Sequence, residues 1–203
     1  MFKDRKEAGE LLAKKLTKYK NQKDAIVLGI PRGGVVVAYE VAKALHLPLD
    51  VIVIKKLPYP GEPELGIGAV GLTDYALVPD LMGVPQSYIN EQIKILQKEV
   101  QERYAVLRGR KQLYDVKGKT VIVIDDGIAM GGTMTAAVSI LRKRKAKIII
   151  LAVPVAPPDA IKRLEQIADE VVCVEVRADF FGIGQFYEDF KQYTDAEVKK
   201  FLT

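Results

Sequence analysis

The sequence holds a single cysteine, Cys173, and a single histidine, His46, in 203 residues. One cysteine forms no intramolecular disulfide and no cysteine zinc site, and one histidine excludes metal sites or triads that need two. Long apolar runs are also missing. The longest, such as Ile148 to Val153, fall far short of the roughly 20 residues that span a bilayer. The first residues, Met-Phe-Lys-Asp-Arg-Lys-Glu, are charged and lack the apolar stretch of a signal peptide. Neither a repeat nor a low-complexity stretch interrupts the chain. No membrane contact is expected, and the cytoplasm is the simplest location.

What is present is ordinary for a globular protein: 49% hydrophobic and 28% charged residues. A chain of this length fits one domain and buries about 70% of its unfolded surface. The net charge is +5 and the isoelectric point about 9.1. That balance suits nucleic acid, membrane surfaces or small phosphorylated ligands. The densest basic cluster is Arg142-Lys-Arg-Lys145, with Lys147 just beyond. It falls at the expected end of a helix, where cations complement the helix dipole. No aromatic residues interleave with it, as a single-strand binder would require. A solvated helix end is therefore favoured, and nucleic acid is not the expected partner.

Five short apolar runs punctuate the chain: 25–30, 51–54, 121–124, 148–153 and 171–176. Most are continuously apolar, the pattern of strands buried on both faces of a parallel sheet. Helical patterns lie between them, over Val35 to Leu45, Met134 to Arg144 and Pro157 to Ala168. The alternation predicts an α/β fold with right-handed crossovers. Two helices stand outside this rhythm. Lys3 to Tyr19 is amphipathic, with Leu11, Leu12 and Leu16 on its apolar face. Pro85 to Arg108 is long, and its stripe of Ile89, Ile93, Leu96, Val100, Tyr104 and Leu107 serves either packing within the chain, which is favoured, or a homodimer seam.

The densest chemistry lies at the end of the run 121–124. Asp125-Asp126 follows the strand, then the loop Gly127-Ile-Ala-Met-Gly-Gly132, then Thr133 and a helix. Ligands of open α/β sheets sit at the carboxyl ends of the strands. A helix N-terminus there offers unpaired N–H groups and partial positive charge, Gly131 and Gly132 admit an anion closely, and Thr133 adds a hydroxyl. Two carboxylates beside a phosphate site would repel it unless they face hydroxyls or a cation that accompanies the ligand. A sugar phosphate offers such hydroxyls. Rival motifs fail. No G-x-x-x-x-G-K-[ST] occurs, and Gly66-Ile-Gly-Ala-Val-Gly71 leads into Leu72 to Leu77, which reads as a turn and strand rather than the helix a dinucleotide fingerprint needs.

The segment Ile122-Val-Ile-Asp-Asp-Gly-Ile-Ala-Met-Gly-Gly-Thr-Met134 resembles the phosphoribosyl pyrophosphate signature of type I phosphoribosyltransferases, in a form closest to adenine phosphoribosyltransferases. Gly29-Ile-Pro-Arg-Gly-Gly34 resembles the family's pyrophosphate loop, and Lys55-Lys56-Leu57 the basic segment that opens its flexible catalytic loop. Together with Gly-Gln-Phe-Tyr-Glu-Asp-Phe190, the pattern is similar to a branch of predicted phosphoribosyltransferases without an assigned substrate. The resemblance implies one phosphoribosyltransferase domain over 1–203. Its Rossmann-like parallel-sheet core would cover about 24–176, with a small aromatic hood or tail over 177–203 and the long helix as an addition. It implies that Asp125 and Asp126 bind ribose hydroxyls, directly or through waters of Mg²⁺. Ala129, Met130, Gly131, Gly132 and Thr133 would hold the 5-phosphate. Arg32, Gly33 and Gly34 would hold pyrophosphate, which Lys55 or Lys56 reaches on loop closure. No residue is expected to bind the metal directly.

Two positions depart from the family. Met130 stands where a threonine hydroxyl is usual, a loss of about 0.5–1.5 kcal/mol. Ala129 stands where hypoxanthine-type enzymes carry an aspartate that assists proton removal. The implied reaction displaces pyrophosphate from the sugar by a nitrogen nucleophile, with Mg²⁺ and cations holding the leaving group and a lid over 57–71 excluding water. A regulator that binds the same ligand without catalysis is the alternative. The acceptor base is left open. Phe180, Phe181, Phe186, Tyr187, Phe190 and Tyr193 either stack it or anchor the tail, and Pro58 and Tyr59 are weaker candidates.

Overall fold

The computed structural model describes residues 1–78, 83–109 and 114–202. The apolar runs form the five strands of one sheet: β1 (Ala25–Gly29), β2 (Leu49–Val51), then β6 (Thr120–Ile124), β7 (Ile148–Ala156) and β8 (Glu170–Val176). All neighbours are parallel, in the order β2-β1-β6-β7-β8. Every residue of β1 and β6 is buried, as continuous apolar runs require. Alternate side chains go to opposite faces. Ile26, Leu28, Val121 and Val123 pack under α4 (Gly132–Lys143) and α5 (Pro158–Leu164). Val27, Ile122 and Ile124 pack under α1 (Arg5–Lys15) and α2 (Gly33–Leu45).

The strand order locates the ligand crevice. The chain runs outward from β1 to β2, then returns to place β6 on the other side of β1. The connections leaving β1 and β6 therefore diverge to opposite faces, which opens a gap at their carboxyl ends. Both phosphate-type loops of the sequence lie there, 30–34 after β1 and 125–131 after β6.

Two elements end earlier than expected. β2 covers Leu49–Val51 rather than 51–54, because Val51 already pairs with Gly29, the last residue of β1, and Pro31 beyond it has no N–H for the ladder. The helix expected to reach Ala168 stops at Leu164 and continues as single turns. No helix among the described residues is long and apolar enough to cross a membrane.

The segment read as a lid is ordered into strands. β3 (Lys55–Tyr59), β4 (Glu62–Val70) and β5 (Tyr75–Leu77) form an antiparallel sheet beside the core. The glycines from Gly66 to Gly71 lie on and just after β4, and no helix follows, so this is no dinucleotide turn. Gly68 is glycine because a Cβ there would sit 2.4 Å from the Ala76 carbonyl oxygen. One side of this sheet packs on α4 through Ala69, Ala136 and Ile140. The other packs on α3 (Gln86–Arg108) through Leu57, Ile67, Val70, Ile89 and Ile93. The α3 stripe is thus used within the chain, with Ile89, Ile93, Val100, Tyr104 and Leu107 buried.

The far end of α3 is tied to the edge strand β2. Tyr104 donates its hydroxyl to the Val51 carbonyl at 3.2 Å and accepts from the Val53 amide at 3.2 Å. Asp50 is buried, accepts from the Val51 amide at 2.6 Å and pairs with Arg108. Burial pushes the Asp50 carboxyl above its ordinary range, against the pull of Arg108 and Arg144. Arg108→Met should therefore destabilise the protein by about 3 kcal/mol, the low end for stranding a buried charge, since Arg144 remains nearby. Urea unfolding measures this. An unchanged midpoint would mean that Arg108 does not compensate Asp50.

Candidate active site

At the crevice lies a cleft of about 780 Å³. One wall is Asp125 and the loop from Gly127 to Thr133, and the other is the small sheet, with Lys56, Gly66, Gly68 and Ala69. Ser139 on α4 and Ile183 from the tail also line it. The cleft thus brings together two segments that the sequence reading singled out separately, 125–133 and Lys56.

The loop has the construction of an anion cradle. Gly131 caps α4 with φ of +81°, a left-handed conformation that side chains resist. No backbone or side-chain acceptor among the described residues takes the amides from Ala129 to Met134. They belong to residues that line the cleft, at the positive end of a 12-residue helix. Nothing lies within 4 Å of where a Cβ on Gly132 would stand. Thr133 is exposed beside it. Met130 turns its side chain out to solvent at 83% exposure, while its carbonyl accepts from Arg163 at 3.3 Å. The methionine therefore leaves the cradle open.

The two aspartates part company. Asp125 is half-buried and lines the cleft. Its Oδ1 accepts the Asp126 amide at 2.9 Å. Burial, and then the neighbouring Asp126 charge, push its carboxyl well above the ordinary range, although Arg5 pulls the other way. Asp126 is buried and is not part of the cleft wall. Its Oδ2 receives both Nε and Nη2 of Arg5, each at 2.7 Å, and its carbonyl accepts the Tyr187 hydroxyl at 2.6 Å. Burial beside this carboxylate pushes the Tyr187 hydroxyl far up, so it remains a donor.

Arg5 was not visible as a site residue in the sequence, where it sits in a run of charges at the chain start. It is buried, and Nη1 donates to the Lys191 carbonyl at 2.7 Å. Its guanidinium lies 4.0 Å from the centre of the Phe190 ring, with Tyr187 and Tyr193 at 5.7 and 5.6 Å. Phe186 and Tyr187 are buried against Phe2 and Val155, Phe190 and Tyr193 gather at Arg5, and Phe181 is 96% exposed. None of the six tail aromatics, nor Pro58 or Tyr59, is part of the cleft wall. In this structure the tail is anchored to the core.

The loop after β1 stands behind Asp125 rather than in the cleft wall. A Cβ on Gly34 would lie 2.7 Å from the Asp125 Cα and from the Ile124 carbonyl oxygen. One on Gly33 would lie 2.0 Å from Asp126 Oδ2 and 2.6 Å from Arg5 Nε. Both positions demand glycine because the α2 N-terminus presses against the acidic pair. Arg32 precedes them, exposed and without an ion pair among the described residues. The Pro31–Arg32 peptide is cis.

The two lysines also separate. Lys55 pairs with Glu99 of α3 at 2.8 Å, away from the cleft, whereas Lys56 lines it.

The sequence profile of the phosphoribosyl transferase domain matches residues 3–191. A Mycobacterium tuberculosis protein, provisionally named a phosphoribosyl transferase, is 40% identical over 210 residues, which take in 100% of this chain and 46% of that protein. The chain thus spans about half the length of that curated relative. The crystal structure of TT1426 from Thermus thermophilus superposes with a TM-score of 0.89 at 39% identity, over 99% of this chain and 97% of that one. A purine phosphoribosyltransferase from Pyrococcus horikoshii shares the fold at a TM-score of 0.50 and 20% identity, over 92% of this chain and 88% of that one. With the α/β core, the profile match over 3–191 and a relative matched along almost its whole length, this chain belongs to the phosphoribosyl transferase domain family.

Proposed function

We propose that the chain transfers a phosphoribosyl group from phosphoribosyl pyrophosphate to a nitrogenous base and releases pyrophosphate. One observation carries this reading: six residues with unpaired amides, Ala129 to Met134, and Asp125 line one cleft from adjacent turns. A 5-phosphate on the amides brings the ribose hydroxyls toward the carboxylate. Repulsion between the acid and the phosphate is then replaced by hydrogen bonds from the sugar.

The roles follow. Ala129 to Thr133 hold the phosphate, and Asp125 accepts from the ribose hydroxyls. Asp126 supports Asp125 from behind. Arg32, with the amides of Gly33 and Gly34, receives pyrophosphate at the α2 N-terminus. Lys56 closes on the same group from the small sheet. Among the described residues no three potential metal ligands cluster. A lone carboxylate suits Mg²⁺ only as an ion delivered with the diphosphate and completed by water, because Mg²⁺ keeps several waters and takes substrate phosphates. Its contribution there is to neutralise charge on the leaving group. The cleft wall offers the acceptor no carboxylate at position 129. The acceptor nitrogen must therefore react without help from that position.

A non-catalytic regulator is the second reading. Met130, Ala129 and the commitment of Asp126 to Arg5 favour it, and Lys56 on the cleft wall opposes it. Pyrophosphate release with Mg²⁺ and a panel of purine and pyrimidine bases separates the two. Turnover with at least one base is the expected result. Binding of phosphoribosyl pyrophosphate without turnover on any base would establish the regulator.

A further inference from the structure

Four parts of the chain meet at one buried arginine. Arg5 comes from the first turn of α1, Asp126 from the end of β6, Lys191 and Phe190 from the tail, and Gly33 from the start of α2. A buried guanidinium commonly pairs with a carboxylate, but this carboxylate adjoins the one at the cleft. The Asp126 backbone amide donates to Asp125 Oδ1, so the main chain that carries the Arg5-bound carboxylate also orients the one at the cleft.

We propose that Arg5 is a positioning residue for the phosphoribosyl site, which cancels the Asp126 charge so that the anionic ligand meets one carboxylate instead of two. This rests on the function proposed above. The charged and titratable groups facing Asp126 are Arg5 from α1, Asp125 from its own strand end and the Tyr187 hydroxyl from the tail. Arg5 is the one cation among them. Two of its nitrogens converge on a single oxygen, Oδ2, and the third goes to the Lys191 carbonyl. Each guanidinium nitrogen is thus engaged, and ring faces close the group off from water. The cation is held in place rather than shared with solvent, where it would be screened. Without it, a buried negative charge would stand directly behind the acid that must accept the ribose, and close to the α2 amides proposed to receive pyrophosphate.

A merely structural arginine and a charge-cancelling one differ in how they are rescued. Binding of phosphoribosyl pyrophosphate with Mg²⁺ is measured by titration calorimetry on wild type, Arg5→Met and the double variant Arg5→Met with Asp126→Asn, each checked for native circular dichroism. Arg5→Met should bind about 10- to 100-fold more weakly, taking as the scale the loss that follows removal of the partner behind a metal-holding side chain. The double variant, which removes the stranded charge, should return to within about threefold of wild type, a change of less than one decade on the affinity scale. Two results overturn the proposal: a folded Arg5→Met that binds like wild type, or a double variant as weak as Arg5→Met. If Arg5→Met does not fold, the double variant decides alone. Near-wild-type affinity supports the charge role, and a larger loss refutes it by showing that Asp126 or the arginine itself is needed at the ligand. A wild type that binds no phosphoribosyl pyrophosphate is a different failure, that of the proposed function.

Discussion

Asp125→Asn should weaken phosphoribosyl pyrophosphate by at least about a hundredfold, because hydrogen bonds to a charged group contribute about 1.5–3 kcal/mol each. Two ribose hydroxyls donating to the carboxylate would therefore be worth roughly 3–6 kcal/mol, and asparagine, with one acceptor oxygen, keeps only part. Calorimetry with Mg²⁺ reads this directly. Unchanged affinity would remove Asp125 from the site. The same variant should make the empty protein more stable at neutral pH. The sign follows from linkage. Burial and Asp126 raise the Asp125 carboxyl in the folded protein well above 3.8, its ordinary value. Between those two values the folded chain holds more protons than the unfolded one, so this group lowers stability as pH rises. Asparagine carries no such charge. Its advantage is greatest at neutral pH and vanishes near and below the ordinary aspartate range, which urea midpoints at several pH values can follow. A variant that both binds worse and folds better identifies a residue held for the ligand at the expense of the fold. Loss of stability at neutral pH would instead assign Asp125 a structural role.

The sequence reveals the core because the core obeys local rules. The unbroken apolar runs at 25–30 and 121–124 leave no polar face, so a parallel sheet covered on both sides buries them. The site is legible for a related reason. Gly131 needs its positive φ and the cradle needs bare amides, so the chemistry is written in consecutive residues. What is illegible depends on distance along the chain. Arg5 and Asp126 are separated by 121 residues, and Arg5 has Lys3, Asp4, Lys6 and Glu7 around it in sequence. Nothing local separates the one buried charge from the four beside it. The tail aromatics are undetermined for the same cause: their partners, Phe2 and Arg5, belong to the other end of the chain. Of the small sheet only β5 is legible, in the turn and strand read over 72–77, because glycines and prolines mask the alternation of β3 and β4, although Leu57, Ile67 and Val70 all face inward.

That sheet also separates the two lysines, which adjacency in sequence left equivalent. Successive residues of a strand point to opposite faces, so Lys55 and Lys56 cannot serve the same neighbour. Lys55 is turned to Glu99 at 2.8 Å, and Lys56 to the cleft. Gly66 on β4 helps, since a Cβ there would crowd the Lys56 stem at 3.0 Å. Lys56→Met should therefore lower kcat by about 10²–10³, the usual cost of removing one donor aimed at charge that develops in the transition state. Negative charge on pyrophosphate grows as the bond to the sugar breaks. A cation placed there acts more on the transition state than on the bound ligand, so kcat and kcat/KM should fall together. Lys55→Met removes a partly exposed ion pair, worth about 0–1 kcal/mol of stability, and should leave kcat nearly unchanged. Steady-state pyrophosphate release on both variants, with whichever base supports turnover, makes the comparison. Equal losses would mean that the small sheet rearranges during catalysis and releases Lys55 from Glu99. A loss confined to Lys55 would show that the strand faces exchange roles on closure and that Lys56 only lines the empty cleft.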